Sequence, residues 1–404
     1  MAAPQVSFRP FVEVTGVYDT GLAGVSVSDS GQLGNLASEG VTVAWGISGT
    51  HSWRHTLVGL DYQGSLNHFA KNTAFDTINE SLLLGVSRDL SRHAKVVLRQ
   101  AAGTFGRDFG VLGLPGTVPF DPTTSFIPTT DFFDNRTLYL STQADLVVQK
   151  SARLSYSLGG SGFLTRRRSS ALEGVSGATA KADVHYRISR RTTVGGLYSY
   201  EHFGYNHITS GSDLHGVAFS FGTRITRFWE ITGYGGALRM ESKYLQTEAV
   251  DPVIAALLGI TSTSFIRHTI EWVPSYSLRA SRTFSRGVAY GTVSSTVTPG
   301  NGLFLTSKVL MYSGGYTYTG LRRWSFAAAV VDSRGASISN VIGAYDSLSG
   351  TVTLSRQIGG SFHFVTSYAL RKYSSPNFDQ YNRVVNEARV GVGFTPGDVP
   401  LRIW

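Results

Sequence analysis

Three stretches of the chain bring possible ligands close together. His51 and His55 in HSWRH stand four apart, the spacing at which two imidazoles on one helical face grip zinc. In a tight hairpin turn, however, the two rings would not face one ion. Glu201, His202 and His207 gather in EHFGYNH, a set with the right atoms for a metal but no defined third ligand. GVLGLPG, at 110–116, has the glycines of a phosphate cradle, yet neither a Lys-Ser/Thr pair nor a helix follows it. The chain contains no cysteine, which removes thiolate metal sites, cysteine nucleophiles and disulfides together. Serines and histidines are plentiful, but no spacing marks out a triad. The residues predict no enzyme, no resident metal and no cofactor.

What remains is electrostatic chemistry. Charged residues make up only 16% of the chain, well under the usual quarter, and many alternate with apolar ones. The acidic candidates are Glu13, Asp61, Asp145, Asp183, Glu271 and Glu387. The basic ones are Lys95, Arg99, Arg153, Lys181, Arg187, Arg224, Arg267, Arg371 and Arg389, joined by His185. A charge facing mid-bilayer lipid costs about 2–4 kcal/mol, so in a membrane sheet these residues are expected to turn inward and line a pore. Cross-strand pairing that stiffens the wall is the alternative use of the same charges.

The elements that would position them are strands. In VTVAWGI, residues Val41, Val43, Trp45 and Ile47 share one face; in VAFSFGTR, Val217, Phe219 and Phe221 do. ATAKADVHYRI sets Ala182, Val184, Tyr186 and Ile188 against Lys181, Asp183, His185 and Arg187. This period-two pattern recurs in about eighteen stretches (sixteen to eighteen) along residues 1–404, read as a single domain. Those covering 229–241, 284–297 and 302–318 fit with either face outward. Tight links such as SGTHSW, DLSRHA, SRRT and GLRRW alternate with longer ones at 20–37, 105–134, 242–263, 333–344 and 374–382. Short turns at one end and long loops at the other predict a transmembrane antiparallel β-barrel, with periplasmic turns and extracellular loops. A propeller fits less well, because no repeat recurs at about 40–50 residues. No run approaches the ~18 apolar residues of a membrane helix.

Tyr18, Trp53, Tyr200, Trp229, Tyr312, Trp324 and Tyr368 are expected near strand ends, as rings of an interfacial belt. The short turns carry arginines, including Arg88, Arg92, Arg190, Arg191, Arg227, Arg282, Arg322, Arg323 and Arg356, suited to lipid head groups or to a soluble rim. TRRRSS, at 165–170, lies at the opposite end, where lipopolysaccharide phosphates are the fitting partner. The net charge is +9, but the cations form no single stripe, so no nucleic-acid partner is predicted.

Two loops stand out. Residues 106–136 are rich in Pro, Phe and Asp, and connections that long are usually functional or disordered. Folded inward they would narrow the pore, with Asp108, Asp121 and Asp131 set against basic wall residues and Phe109, Phe120, Phe126 and Phe132 as stacking faces for sugars. DPVIAALLG, at 251–259, reads as a short helix capped by Asp251.

The end of the chain, ARVGVGFTPGDVPLRIW, resembles the terminal strand of outer-membrane proteins that the barrel-assembly machinery recognises, through Val390, Val392, Phe394 and Trp404. TPGDVP interrupts that pattern, so the last strand either stops near Phe394 or closes irregularly. The start lacks a basic and apolar leader, so an exported protein would here be the mature chain. HYRISRRTTVGGLYSYEHFGY (185–205) and LSRQIGGSFHFVTSYALRKYSS (354–375) further resemble the β-barrel porins that accompany exopolysaccharide gene sets. That resemblance implies an outer-membrane location in a Gram-negative bacterium. It also implies contact with membrane lipids and a channel for a polar, carbohydrate-like solute. The rival expectation is a non-conducting barrel that serves envelope assembly. The sequence fixes neither solute nor oligomeric state.

Overall fold

In the computed structural model the alternating stretches become strands β1 (Val6–Asp19), β2 (Ser38–Ser52), β3 (Thr56–Phe69), β4 (Thr77–Asp89), β5 (Ala94–Phe105) and β6 (Thr137–Gln149). They continue as β7 (Leu154–Arg167), β8 (Val175–Arg187), β9 (Thr192–Tyr205), β10 (Gly211–Arg224), β11 (Trp229–Ala249) and β12 (Ser262–Phe284). The series ends with β13 (Gly287–Thr298), β14 (Ser307–Tyr318), β15 (Trp324–Ser337), β16 (Ala344–Gln357), β17 (Phe362–Ser374), β18 (Arg383–Phe394) and the short β19 (Val399–Leu401). The structure describes residues 6–21, 37–71, 76–105, 137–168, 172–206, 208–249, 262–300, 305–318, 320–338, 344–376, 382–396 and 399–401.

Each strand pairs antiparallel with its neighbours in sequence, from β1–β2 to β17–β18. The sheet then closes on itself where β1 meets β18, Val12 opposite Phe394 and Asp19 opposite Glu387. β19 takes over the remaining edge of β1, Val6 opposite Leu401 and Phe8 opposite Val399. The last stave is thus one strand with a break after Phe394. The closure is irregular, because prolines at 396 and 400 offer no N–H to a ladder. Val390, Val392 and Phe394 all point outward from it, whereas Trp404 lies outside the described residues.

The pairing register decides which face looks out. Val14, Val43, Leu66 and Ile78 form one file across four strands, and Val217, Phe219 and Val184 are 66%, 56% and 45% exposed on the outer surface. An apolar outside and a closed ladder form the architecture of a membrane-spanning barrel. The three stretches that fitted either way are settled by register alone. Ile231, Gly233, Gly235 and Ala237 of β11 share the outer face with Val217 and Phe219. Tyr312 and Tyr316 of β14 likewise share theirs with Val293 and Ala289 of β13.

Charged residues do face outward near the strand ends, Arg282 and Arg356 at the short-turn rim and others toward the end with the long connections. There Glu80 accepts from the Tyr62 hydroxyl at 3.3 Å, Asp213 pairs with His202 at 2.9 Å, and Arg239 pairs with Glu241. Trp229 and Trp324 open β11 and β15 at the short-turn rim. Tyr312 and Tyr368, expected at strand ends, instead stand midway along β14 and β17. The helix expected at 251–259 lies outside the described residues.

Adjacent residues 184 and 185 make the facing testable. Val184→Arg should weaken refolding into lipid by about 2–4 kcal/mol relative to His185→Arg, because only the former buries a guanidinium in hydrocarbon. Equal losses in a vesicle refolding titration would mean the outer face is assigned wrongly.

Candidate functional site: the barrel interior

Glu13, Asp61, Lys95, Arg99, Asp145, Lys181, Asp183, His185, Arg187, Arg224, Arg267, Glu271, Arg371, Glu387 and Arg389 all fall on the inward side of the register. Arg153 is a correction. It stands in the turn between β6 and β7, where its carbonyl accepts from the Arg187 N–H at 2.7 Å, and it is no part of the wall. Arg187 and Arg224 end their strands at the same rim. Residues Asp108, Phe109, Phe120, Asp121, Phe126, Asp131 and Phe132 lie outside the described residues.

The inward charges fall into small groups. Lys181 reaches Asp145 at 3.3 Å, spanning the whole of β7 between them. The span is possible because Gly159 lies opposite both; a Cβ there would overlap the Asp145 carboxylate and sit 2.6 Å from Lys181 Cε. Gln143 donates to the same carboxylate at 2.7 Å, and Ser157 donates to Asp183 at 2.7 Å. Among the described residues Arg99 has no carboxylate partner, and it is exposed.

A second group sits at the closing seam. Arg389 pairs with Glu387, and Arg371 donates to Glu387 at 3.3 Å. The Glu387 and Arg389 residues are only 2% and 5% exposed. Their facing is inward, but they are sealed from water and act as cross-strand pairing in the wall. Toward the long-connection end of β2–β4 the wall is neutral and polar. Thr42 donates to Asn67 at 2.7 Å, Asn67 to Thr77 at 3.2 Å, and Asn79 to Ser65 at 3.1 Å.

The opposite side of the interior is apolar. Phe163, Val175, Phe203, Leu214, Leu238, Met240 and Val273 project inward from β7 to β12 and pack with Val297 and Leu305 from the β13–β14 hairpin. The β12–β13 ladder reaches up only to Tyr276–Ser295. Above it the hairpin leaves β12 and lays its tip against the inner wall. Tyr205 donates to the Pro299 carbonyl at 2.9 Å, Ser212 lies 3.0 Å from Thr306, and Lys308 Nζ holds Glu271 at 2.6 Å. This inward fold was missed in the sequence. Its partners lie about a hundred positions apart, and no local pattern marks such a contact.

The described residues of the stretches weighed for metal chemistry do not converge, and His207 lies outside the described residues. The His51 ring sits against Trp53 with centroids 4.1 Å apart, while His55 belongs to the turn. Glu201 faces the lumen and His202 the exterior. Among the described residues there is no group of three metal-ligating side chains.

No protein-family profile matches the chain, and no curated protein matches it. Solved structures similar to it include OccK2 (OpdF) of Pseudomonas aeruginosa in complex with glucuronate, at 10% identity and a TM-score of 0.47 over 98% of both chains. Pseudomonas aeruginosa OprD is similar at 9% identity and 0.44, covering 98% of this chain and 96% of that one. The ferric-catecholate import receptor Fiu of E. coli K12 gives 10% and 0.45, covering 95% of this chain and 81% of that one. At this level of likeness the fold is defined by the chain's own pairing register.

The Lys308–Glu271 pair is half exposed and joins the hairpin tip to β12. Glu271→Gln should leave the barrel folded, since the loss of a half-exposed pair costs at most about 1 kcal/mol. In planar bilayers it should raise the frequency of current transitions. Traces identical to the parent's would show that the pair does not hold the tip.

Proposed function

We propose that the chain is an outer-membrane channel of a Gram-negative bacterium that passes small polar solutes, carbohydrate-like ones among them. One observation carries this reading: a closed sheet with an outer apolar band between its rims and with Asp61, Asp145, Lys181, Asp183 and Arg371 turned inward. A soluble barrel would invert that arrangement, and a barrel of 16–18 strands has room for an aqueous path. The charged lumen supplies hydration for ions, while Thr42, Asn67 and Asn79 are buried and hydrogen-bonded within the wall beside it, which they stiffen. On this reading the chain performs no reaction. Its surroundings are outer-membrane lipids and lipopolysaccharide, with the barrel-assembly machinery acting on the terminal strand.

A second reading is favoured by the inward β13–β14 tip and the apolar cluster beneath it. If these close the interior, the barrel is a structural partner in the envelope and does not conduct. Residues 106–136 bear on the same question through their length, phenylalanines and aspartates.

Purified protein in planar bilayers should give stepwise conductance, and Arg99→Glu should shift its selectivity toward cations. Deleting 110–130 should raise conductance and favour anions, since acidic groups leave and basic ones stay. Silence from parent and deletion alike would leave the non-conducting barrel.

Orientation can be checked separately. Cysteine at Gly116, in the long 105–134 link, should react with an impermeant thiol reagent on intact cells, and cysteine at Arg191, in a short turn, should not. The reverse result would turn the barrel over.

A further inference from the structure

We propose that the short-turn rim between β11 and β16 carries two equivalent binding sites for the phosphate of an anionic phospholipid, each built from an outward Trp–Arg pair. The proposal rests on the membrane reading given above. Trp229, the first residue of β11, stands directly opposite Arg282 near the end of β12. Trp324, the first residue of β15, stands directly opposite Arg356 near the end of β16. The two pairs occupy the same place in two different hairpins. Register puts all four side chains on the outer face, at the edge of the apolar band.

The guanidiniums lie over the rings, with Arg282 Cζ 5.4 Å from the Trp229 centroid and Arg356 Cζ 5.1 Å from that of Trp324. Arg282 also lies 4.7 Å from the Phe284 ring. Phe284 meets Tyr316 edge-on, and Tyr316 stacks on Tyr318, so an aromatic belt joins the two sites. Among the described residues neither arginine has a carboxylate partner. Glu230, next to Trp229, faces inward to Arg224, and SRTFSRG, GLRRW and SRQIGGSF contain no Asp or Glu. They add Arg286, Arg322 and Arg323 to the same rim.

An indole at the bilayer boundary is held half in hydrocarbon and half in water. A guanidinium over that ring is fixed in place by cation–π attraction, while its N–H fork stays free. Planar forks of this kind take a phosphate through two parallel charge-assisted bonds. The geometry therefore presents each free fork at the depth of the inner-leaflet phosphates, beside a ring that packs on the first acyl carbons. The ligand chemistry is a glycerophospholipid phosphodiester with its chains attached, rather than a free phosphate.

Native mass spectrometry of the folded full chain in detergent micelles tests this, with phosphatidylglycerol, phosphatidylcholine and soluble glycerol phosphate as probes. The parent should retain two phosphatidylglycerol molecules in preference to phosphatidylcholine. Arg282→Gln and Arg356→Gln should each remove one, with apparent affinity falling on the order of tenfold per site. The Lys variants keep the charge but lose the fork, and they should fall between. A double Gln variant that retains both lipids, or equal retention of the two lipids by the parent, overturns the proposal. Equal binding of glycerol phosphate overturns it too, as a plain anion site. If the parent shows no heat-modifiable folded form in micelles, the membrane reading itself fails, and that outcome is distinct from the others.

Discussion

The structure depends on a shortage of hydrogen-bond partners. In hydrocarbon an unpaired backbone N–H or C=O costs several kcal/mol, and no water is present to relieve it. A sheet there has no tolerable edge, so β1 must find β18. Once closed, every residue is either outside or inside, and period-two alternation becomes a division between lipid and lumen. The outward files of Val, Leu and Phe and the inward files of Asp, Arg, Thr and Asn follow from that one demand.

The inside is not uniform. One sector is hydrogen-bonded and neutral, another carries ion pairs such as Lys181–Asp145, and a third is apolar and covered by the β13–β14 tip. A solute entering such a space meets different chemistry on different sides, which allows recognition as well as size exclusion. The tip is held by one exposed ion pair and a few hydroxyls, set on a packed apolar seat. The half-exposed ion pair is worth little, whereas the contacts of Tyr205, Ser212 and Thr306 are buried and add to the hold of Val297 and Leu305.

How much of this could be read from the chain depends on whether the signal was local. Val217, Phe219 and Phe221 announce their strand because alternation lies within one segment. Inward charges follow by the same parity, and the register turns Lys181, Asp183 and Arg371 to the inner face. Arg153 was misplaced because it has the right parity but lies one residue before its strand begins. β11, β13 and β14 fit either way because apolar, aromatic and small residues occur on both faces, leaving the neighbours' register to decide. The inward hairpin tip, the burial of Glu387 with Arg389, and the pairing of β19 with β1 are contacts between distant parts of the chain. Nothing in any short window specifies them.

Closure also has a kinetic meaning. Every ladder but the seam joins neighbours in sequence, so each can zip from its own turn at low contact order. The seam alone brings position 12 to position 394. The entropy of closing a loop grows only with the logarithm of its length, so the penalty is modest in energy. It is large in time, because two frayed edges must stay in register and unassociated until they meet. Those edges are templates for pairing with other chains. The seam is therefore where an assembling barrel is most exposed to aggregation, and a bound catalyst that shelters the β18 edge would shorten that interval more than any stabilising contact elsewhere.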